Sequence, residues 1–241
     1  MHERIDPYVD KNVMNLSRLG HIKRYKKATE FIAEGHLVLD AGCGYGYGSN
    51  LLAEHAPKSR VIGIDKSSYA IKYARERYGE NRKQYFVGDL ESFDISKFGP
   101  FDLITFFEVI EHLKNPSVVL KKLRNQISPC GHLLLSTPNG RFRTNNPHHK
   151  KEYTEQEIRE LLHQNGFEVK EILCQYPLIG SLLELARKMT GYNLNTDKEF
   201  GFISKLIDSV PLLPETFSGI YEGRAVTASA ADLYFITKPR V

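Results

Sequence analysis

The sequence predicts an α/β fold: a doubly wound, mostly parallel sheet with helices on both faces. Three observations predict it. From residue 37 onward, short apolar runs alternate with helix-patterned segments, the pattern of parallel strands joined by crossover helices. The first run passes directly into "DAGCGYGYG", with glycines at 42, 44, 46 and 48, a loop whose backbone can come close to a ligand. Acidic residues end the first three runs, Asp40, Asp65 and Asp89. Open α/β sheets bind ligands there, beyond the carboxyl ends of their strands.

The elements follow in order. "LSRLGHIKRYKKATEFI" is an amphipathic helix ahead of the sheet, "HLVLDAG" is the first strand and "GSNLLAEHA" the next helix. "RVIGID" is the second strand, and "SSYAIKYARERYG" opens a helix with Ser67 and Ser68 as candidate N-caps. "QYFVGD" and "FDLITFFE" are the third and fourth strands. "NPSVVLKKLRNQIS" is a helix with Pro116 and Ser117 near its start, and Gly131 is expected to separate it from the fifth strand, "HLLLSTP". In "TEQEIRELLHQNG", Thr154 and Glu157 make a capping box and Gly166 a C-terminal stop. "FEVKEILCQY" and "ADLYFITKP" add two strands. The reading is one domain over 1–241, with 1–30 as an N-terminal helical lid. The long excursion at 177–225, between the last two strands, is expected to form a cap over the substrate.

Composition narrows the class. The chain has 241 residues, 41% hydrophobic and 26% charged, ordinary for a soluble globular domain with a sizeable core. No apolar stretch reaches the roughly 18 residues of a membrane span, and the N-terminus lacks a secretory pattern. Cys43, Cys130 and Cys174 are scattered. That argues against a zinc–thiolate site and for a reducing compartment, so the expected location is cytoplasmic. A net charge of +4 falls short of a dedicated nucleic-acid binder. The basic clusters at 21–27, 141–143 and 148–151 are either solvated faces or a mouth that attracts an anion.

The glycine loop departs from the dinucleotide fingerprint, which needs glycines at relative positions 1, 3 and 6. Counting from Gly42, position 6 is Tyr47; counting from Gly44, it is Ser49. Asp40 beside the loop disfavours a pyrophosphate and suits a ligand carrying a cationic amino group. Asp65, 25 residues after Asp40, stands where a carboxylate accepts from ribose hydroxyls. Asp89 is placed to accept from an adenine amino group. Together the three acids point to an amino-acid-bearing nucleoside.

The segments "VLDAGCGYGYG", "VIGIDKSSYAIKYAR", "FVGDLES", "FDLITFFEVIEHLKNP", "GHLLLSTPN" and "KEYTEQEIRELLHQNGFEV" resemble the class I S-adenosylmethionine-dependent methyltransferases. The resemblance implies a Rossmann-like sheet of seven strands, ordered 3-2-1-4-5-7-6, with the last antiparallel. It implies S-adenosyl-L-methionine as cofactor, its methionine part held by Asp40, Gly42 and Gly44. Asp65, with Lys66 beside it, would hold the ribose, and Asp89, with Leu90, the adenine edge. Glu108 would lie under the cofactor, and Arg24 would meet its carboxylate, as in relatives acting on glycans and small metabolites.

Methyl transfer is an in-line displacement on an activated carbon, and a hydroxyl acceptor gains from a base. His112 and His149 are the candidate bases. Glu108, Glu111 and His112 share one face if their stretch is helical. With His149 they resemble the Mg²⁺ or Mn²⁺ site of small-RNA 2′-O-methyltransferases. Purely structural roles are the third reading of these residues. The leading function is O-methylation of a small metabolite or a glycan sugar. The alternatives are metal-assisted RNA methylation and a cofactor-binding partner protein without turnover.

Overall fold

The computed structural model describes residues 15–79, 81–142, 146–175, 220–222 and 232–240. Helix α1 (Asn15–Ala28) precedes the sheet. The chain then alternates through β1 (Leu37–Ala41), α2 (Tyr47–His55), β2 (Arg60–Asp65), α3 (Ser68–Tyr78), β3 (Lys83–Val87) and β4 (Phe101–Phe107). It continues through α4 (Pro116–Gln126), β5 (Ile127–Pro138), α5 (Glu155–Gln164), β6 (Phe167–Gln175), β7 (Ile220–Glu222) and β8 (Asp232–Pro239).

The strand order is 3-2-1-4-5-8-6-7. β1 to β5 pair in parallel, and β8 runs antiparallel between β5 and β6. Without the three-residue edge strand β7, this is the 3-2-1-4-5-7-6 order that the resemblance implies. β7 falls inside the predicted 177–225 insertion, whose other residues lie outside those described.

Strand side chains alternate between faces, and the core divides accordingly. Leu39, Ile62, Ile104 and Leu133 pack with α4 and α5, through Leu120, Leu123, Ile158 and Leu162. Val38, Val61, Leu103 and Leu134 pack on the other face with Tyr25 and Ala28 of α1 and Leu52 of α2. The described part of the 1–30 segment is therefore built into the core, with Tyr25 and Ala28 buried.

The caps follow the sequence. Ser67, not Ser68, caps α3 by accepting from the Ala70 amide at 3.2 Å. Thr154 and Glu157 make the reciprocal capping box on α5. Pro116 takes the first turn of α4, after Asn115. Gly131 is a correction: it lies inside β5, which begins as α4 ends, and the register slips between Phe101 and Leu103. β5 advances five positions (127 to 132) against two of β4 (101 to 103) there, so the slack bulges instead of forming a separating loop.

Candidate active site

A cavity of about 160 Å³ opens at the carboxyl ends of β1, β2, β3 and β4. Asp65, Lys66, Asp89 and Leu90 border it on the β2–β3 side, and His21, Tyr25, Phe107 and Glu108 on the β4 side, with the glycine loop between. Of the predicted site residues, Gly42, Gly44, Asp65, Lys66, Asp89, Leu90, Glu108 and His112 line it. Arg24, Asp40, Glu111 and His149 stand behind this wall.

The loop is shaped by the left-handed backbone of Gly42, φ 86°. A Cβ there would lie 2.3 Å from Cγ2 of Val109, so only glycine lets the loop pass the segment after β4. Asp65 then ties the loop to α3: Oδ2 accepts from the Gly44 amide at 3.0 Å and Oδ1 from the Ser67 amide at 2.8 Å. An ionised carboxylate offers about four acceptor directions, and these two amides use one on each oxygen. Asp89 accepts from the Glu91 amide at 2.9 Å.

The loop after β3 has a brace that no motif announced. The ammonium of Lys122, on α4, donates to the carbonyls of Leu90, Glu91 and Phe93 at 3.2, 2.6 and 3.3 Å. Glu91 in turn accepts from the Asn115 amide at 2.7 Å, at the start of α4.

Asp40 does not face the cavity. The two-residue period of β1 turns it toward α1, only 1% exposed. There it accepts from the hydroxyls of Tyr25 (2.9 Å), Ser49 (2.6 Å) and Thr105 (2.8 Å). Burial pushes its carboxyl up, while the three hydroxyls pull it down. Asp40 thus lies beneath the glycine loop, its carboxylate bonded to three hydroxyls and turned away from the cavity.

On α1, His21, Arg24 and Tyr25 share one face at i, i+3 and i+4. Arg24 is 3% exposed. Its Nε donates to Gln175 Oε1 at 2.5 Å, Nη2 donates to Asp232, and Nη1 lies 3.1 Å from Glu108 Oε1. Its charge is committed to the protein's own carboxylates. The sequence offered no sign of this, because Gln175 and Asp232 are more than 150 positions away.

The acids after β4 are not on a helix. Glu108 has φ 55°, a left-handed conformation that costs a non-glycine residue energy and persists where its surroundings demand it. The geometry turns Oε1 to Arg24 and to the Ser136 hydroxyl, which donates at 2.7 Å. Burial raises the Glu108 carboxyl, but Arg24 and Ser136 outweigh it and hold it below the usual range. The chain then makes one 3₁₀ turn, Ile110–His112.

That turn points Glu111 inward, 1% exposed. Its Oε2 accepts from Thr137 at 3.2 Å, and its buried Oε1 has no hydrogen-bond partner. Burial and the nearby Glu108 charge raise its carboxyl well above the ordinary carboxylate range.

Residues 146–151 fold over this turn. Amides of Lys150 and Lys151 donate to the Glu111 carbonyl at 2.7 and 3.2 Å. His112 Nδ1 is 3.1 Å from the His148 carbonyl, and the rings of His112 and His149 meet edge to face at 4.9 Å. Glu111, His112 and His149 present ligand-type atoms within 4.8 Å of one another. Glu108 is drawn out of the four-residue set by Arg24. Both ring nitrogens of His149 are engaged, Nδ1 with Glu152 at 2.9 Å and Nε2 with Asn146 at 3.2 Å. Arg143, in the basic cluster read as either a solvated face or an anion-attracting mouth, lies outside the described residues.

A family model described as "Methyltransferase domain" matches residues 18–188. A probable S-adenosylmethionine-dependent methyltransferase from Mycolicibacterium smegmatis is 37% identical over 145 residues, 58% of this chain and 54% of that protein. A malonyl-[acyl-carrier protein] O-methyltransferase from Priestia megaterium is 34% identical over 116 residues, 48% of this chain and 42% of that protein. The chain thus spans about half the length of these relatives. Magnesium protoporphyrin IX methyltransferase from Synechocystis PCC 6803, solved with bound SAH, superposes with a TM-score of 0.56. That alignment is 23% identical and covers 69% of this chain and 83% of the other, a likeness of fold. Among the described residues no helix is long and apolar enough to cross a membrane. With 171 of its residues (18–188) inside the family model, and with the glycine loop and its acids arranged around one cleft, the chain belongs to the methyltransferase-domain family, in its class I S-adenosylmethionine-dependent branch.

Proposed function

We propose that this protein transfers a methyl group from S-adenosyl-L-methionine to a hydroxyl oxygen of a small metabolite or of a sugar in a glycan. The observation that carries the reading is that His112, an imidazole, lines the same cleft as the nucleoside-binding acids Asp65 and Asp89. The residues present suit the cofactor. Asp65 would hold the ribose, Asp89 and Leu90 the adenine edge, and the Gly42–Gly44 backbone with Glu108 the amino-acid end. The cofactor supplies a methyl group already activated by its sulfonium. The protein's main task is then alignment, worth about 7–11 kcal/mol when tight.

For an oxygen acceptor the chain must also take a proton. The 3.1 Å contact of His112 Nδ1 with the His148 carbonyl is favourable only when Nδ1 carries the hydrogen. That tautomer makes Nε2 the basic nitrogen, which accepts the acceptor hydroxyl's proton as the methyl arrives. His149 supports the loop carrying that carbonyl, through Glu152 and Asn146. The oxygen-directed chemistry named for the Priestia megaterium relative supports the choice of oxygen.

A second reading, metal-assisted 2′-O-methylation of RNA, draws on the clustering of Glu111, His112 and His149. It is the weaker of the two. A cation would require His149 to surrender Glu152 or Asn146, and Glu108 to leave Arg24. Titration calorimetry with S-adenosylhomocysteine, on wild type and Asp65→Ala, tests the cofactor site. Labelled methyl transfer to a panel of hydroxylated metabolites, oligosaccharides and RNA then tests the acceptor. Binding without turnover on any panel member would favour a non-catalytic partner protein.

A further inference from the structure

We propose that His21, not Arg24, is the side chain that receives the carboxylate of the cofactor's methionine end, donating an imidazole N–H to it. The proposal rests on the reading of the cleft as the cofactor site and assigns the half of that site for which the sequence resemblance named Arg24.

The argument starts from what Arg24 cannot do. Its guanidinium is buried and divided among Gln175, Asp232 and Glu108. Turning it toward a ligand would strand a part-buried carboxylate on β8 and a buried amide on β6, which is unfavourable. The same three contacts, with the Tyr25–Asp40 bond, hold α1 at a set height against the sheet. One turn earlier on that face is His21, which lines the cleft beside Glu108. Neither of its ring nitrogens has a hydrogen-bond partner among the described residues.

Glu108 supplies the complementary half. Oε1 is occupied by Arg24 and Ser136, and Oε2 has no hydrogen-bond partner among the described residues, although the residue lines the cleft. A free carboxylate oxygen beside an unengaged imidazole fits a zwitterion: ammonium on Glu108 Oε2, carboxylate on His21. Three other donors lining the cleft lie elsewhere or are committed. Lys66 follows Asp65 at the ribose side, the Tyr25 hydroxyl donates to Asp40, and His112 Nδ1 is held by the His148 carbonyl. Burial and the Arg24 charge lower His21 to about 4, so it meets the carboxylate as a neutral N–H donor.

The test compares S-adenosylhomocysteine with 5′-methylthioadenosine, which keeps the nucleoside and thioether and lacks the amino-acid end. Both are titrated into wild type, His21→Ala and His21→Gln, each first checked for wild-type melting. The expected result is that His21→Ala weakens S-adenosylhomocysteine by about 10- to 100-fold, the loss typical of a hydrogen bond to a charged group. Affinity for 5′-methylthioadenosine should stay within about twofold, and His21→Gln, whose amide can donate, should recover part of the loss. Equal weakening of both ligands, or no change in either, would overturn the assignment. Wild type binding neither ligand would instead remove the cofactor reading beneath it, a separate and recognisable failure.

Discussion

The hydroxyl of Tyr25 donates to Oδ1 of Asp40 at 2.9 Å, joining the helix before the sheet to the strand that carries the glycine loop. Asp40 is the next-to-last residue of β1, two before Gly42, so the bond sets how far the loop stands from α1. Tyr25→Phe keeps the ring in place and removes the donor. Thr105 and Ser49 still satisfy the carboxylate in part, so the expected cost is about 1–2 kcal/mol, below that of a stranded charge. Urea unfolding of the variant measures it. A cost near zero would mean that α1 is positioned by packing alone.

Gly48 makes the second contact with that ring. A Cβ there would stand 2.0 Å from Cζ of Tyr25. The ring is wedged edge to face between Tyr47 at 5.2 Å and Phe107 at 5.0 Å, with no room to move aside. Gly48→Ala would ordinarily favour the α2 helix by about 1 kcal/mol. Here overpacking should win and destabilise the protein by about 1–3 kcal/mol. Wild-type or higher stability of the variant would show that α1 can back away from α2.

How much of this was legible in the sequence depends on the range of the interactions. The strand–helix alternation, the Ser67 cap and the Thr154–Glu157 box are local, so a few adjacent residues were enough to read them. The cleft residues Asp65 and Asp89 were found because strand ends are where this fold opens. Arg24 and Asp40 were assigned to the ligand, yet their partners are Asp232, Gln175, Tyr25 and Thr105, brought in by sheet topology. The Glu108–Glu111–His112 spacing suggested a helical face. The positive φ at Glu108 and the 3₁₀ turn at Ile110–His112 instead send the two acids in different directions. Nothing in a linear pattern signals a left-handed glutamate.

Asp65 is the cofactor prediction with the clearest geometry. Asp65→Ala removes the acceptor for both the Gly44 and the Ser67 amides, as well as the acceptor for ribose. Loss of one charged hydrogen bond to ligand, plus a loosened loop, should weaken S-adenosylhomocysteine by at least about 100-fold. Calorimetry would show it as an undetectable heat at micromolar protein. Retained affinity would place the nucleoside elsewhere in the cleft.

Glu157 provides the pH dependence. The ion pair with Lys151 at 2.7 Å, and then the Thr154 amide, lower its carboxyl to about 2. A depressed carboxyl contributes stability that is present above its unfolded value, near 4.5, and is lost as pH falls toward 2. The side chain is 40% exposed, so solvent screening keeps the contribution small, about 0.5–1 kcal/mol. The stability gap between wild type and Glu157→Ala should therefore narrow between pH 4.5 and pH 2. A gap that stays constant over that range would show that the box acts without its charge.

The acid–imidazole cluster allows a direct choice between its two readings. As folded, His149 is an internal strut: Glu152 and Asn146 hold its ring nitrogens, and its ring buttresses His112 at 4.9 Å. Melting temperature should then be insensitive to 1 mM Mn²⁺ and to EDTA. A resident cation at 100 times its dissociation constant would add about 2.7 kcal/mol, a rise of roughly 5–10 °C for a domain of this size. His149→Ala should destabilise the protein with or without Mn²⁺, because it frees the loop that holds the His148 carbonyl against His112. If Mn²⁺ raised the wild type by several degrees and left His149→Ala unmoved, His149 would be a ligand, and the RNA reading would replace the one proposed.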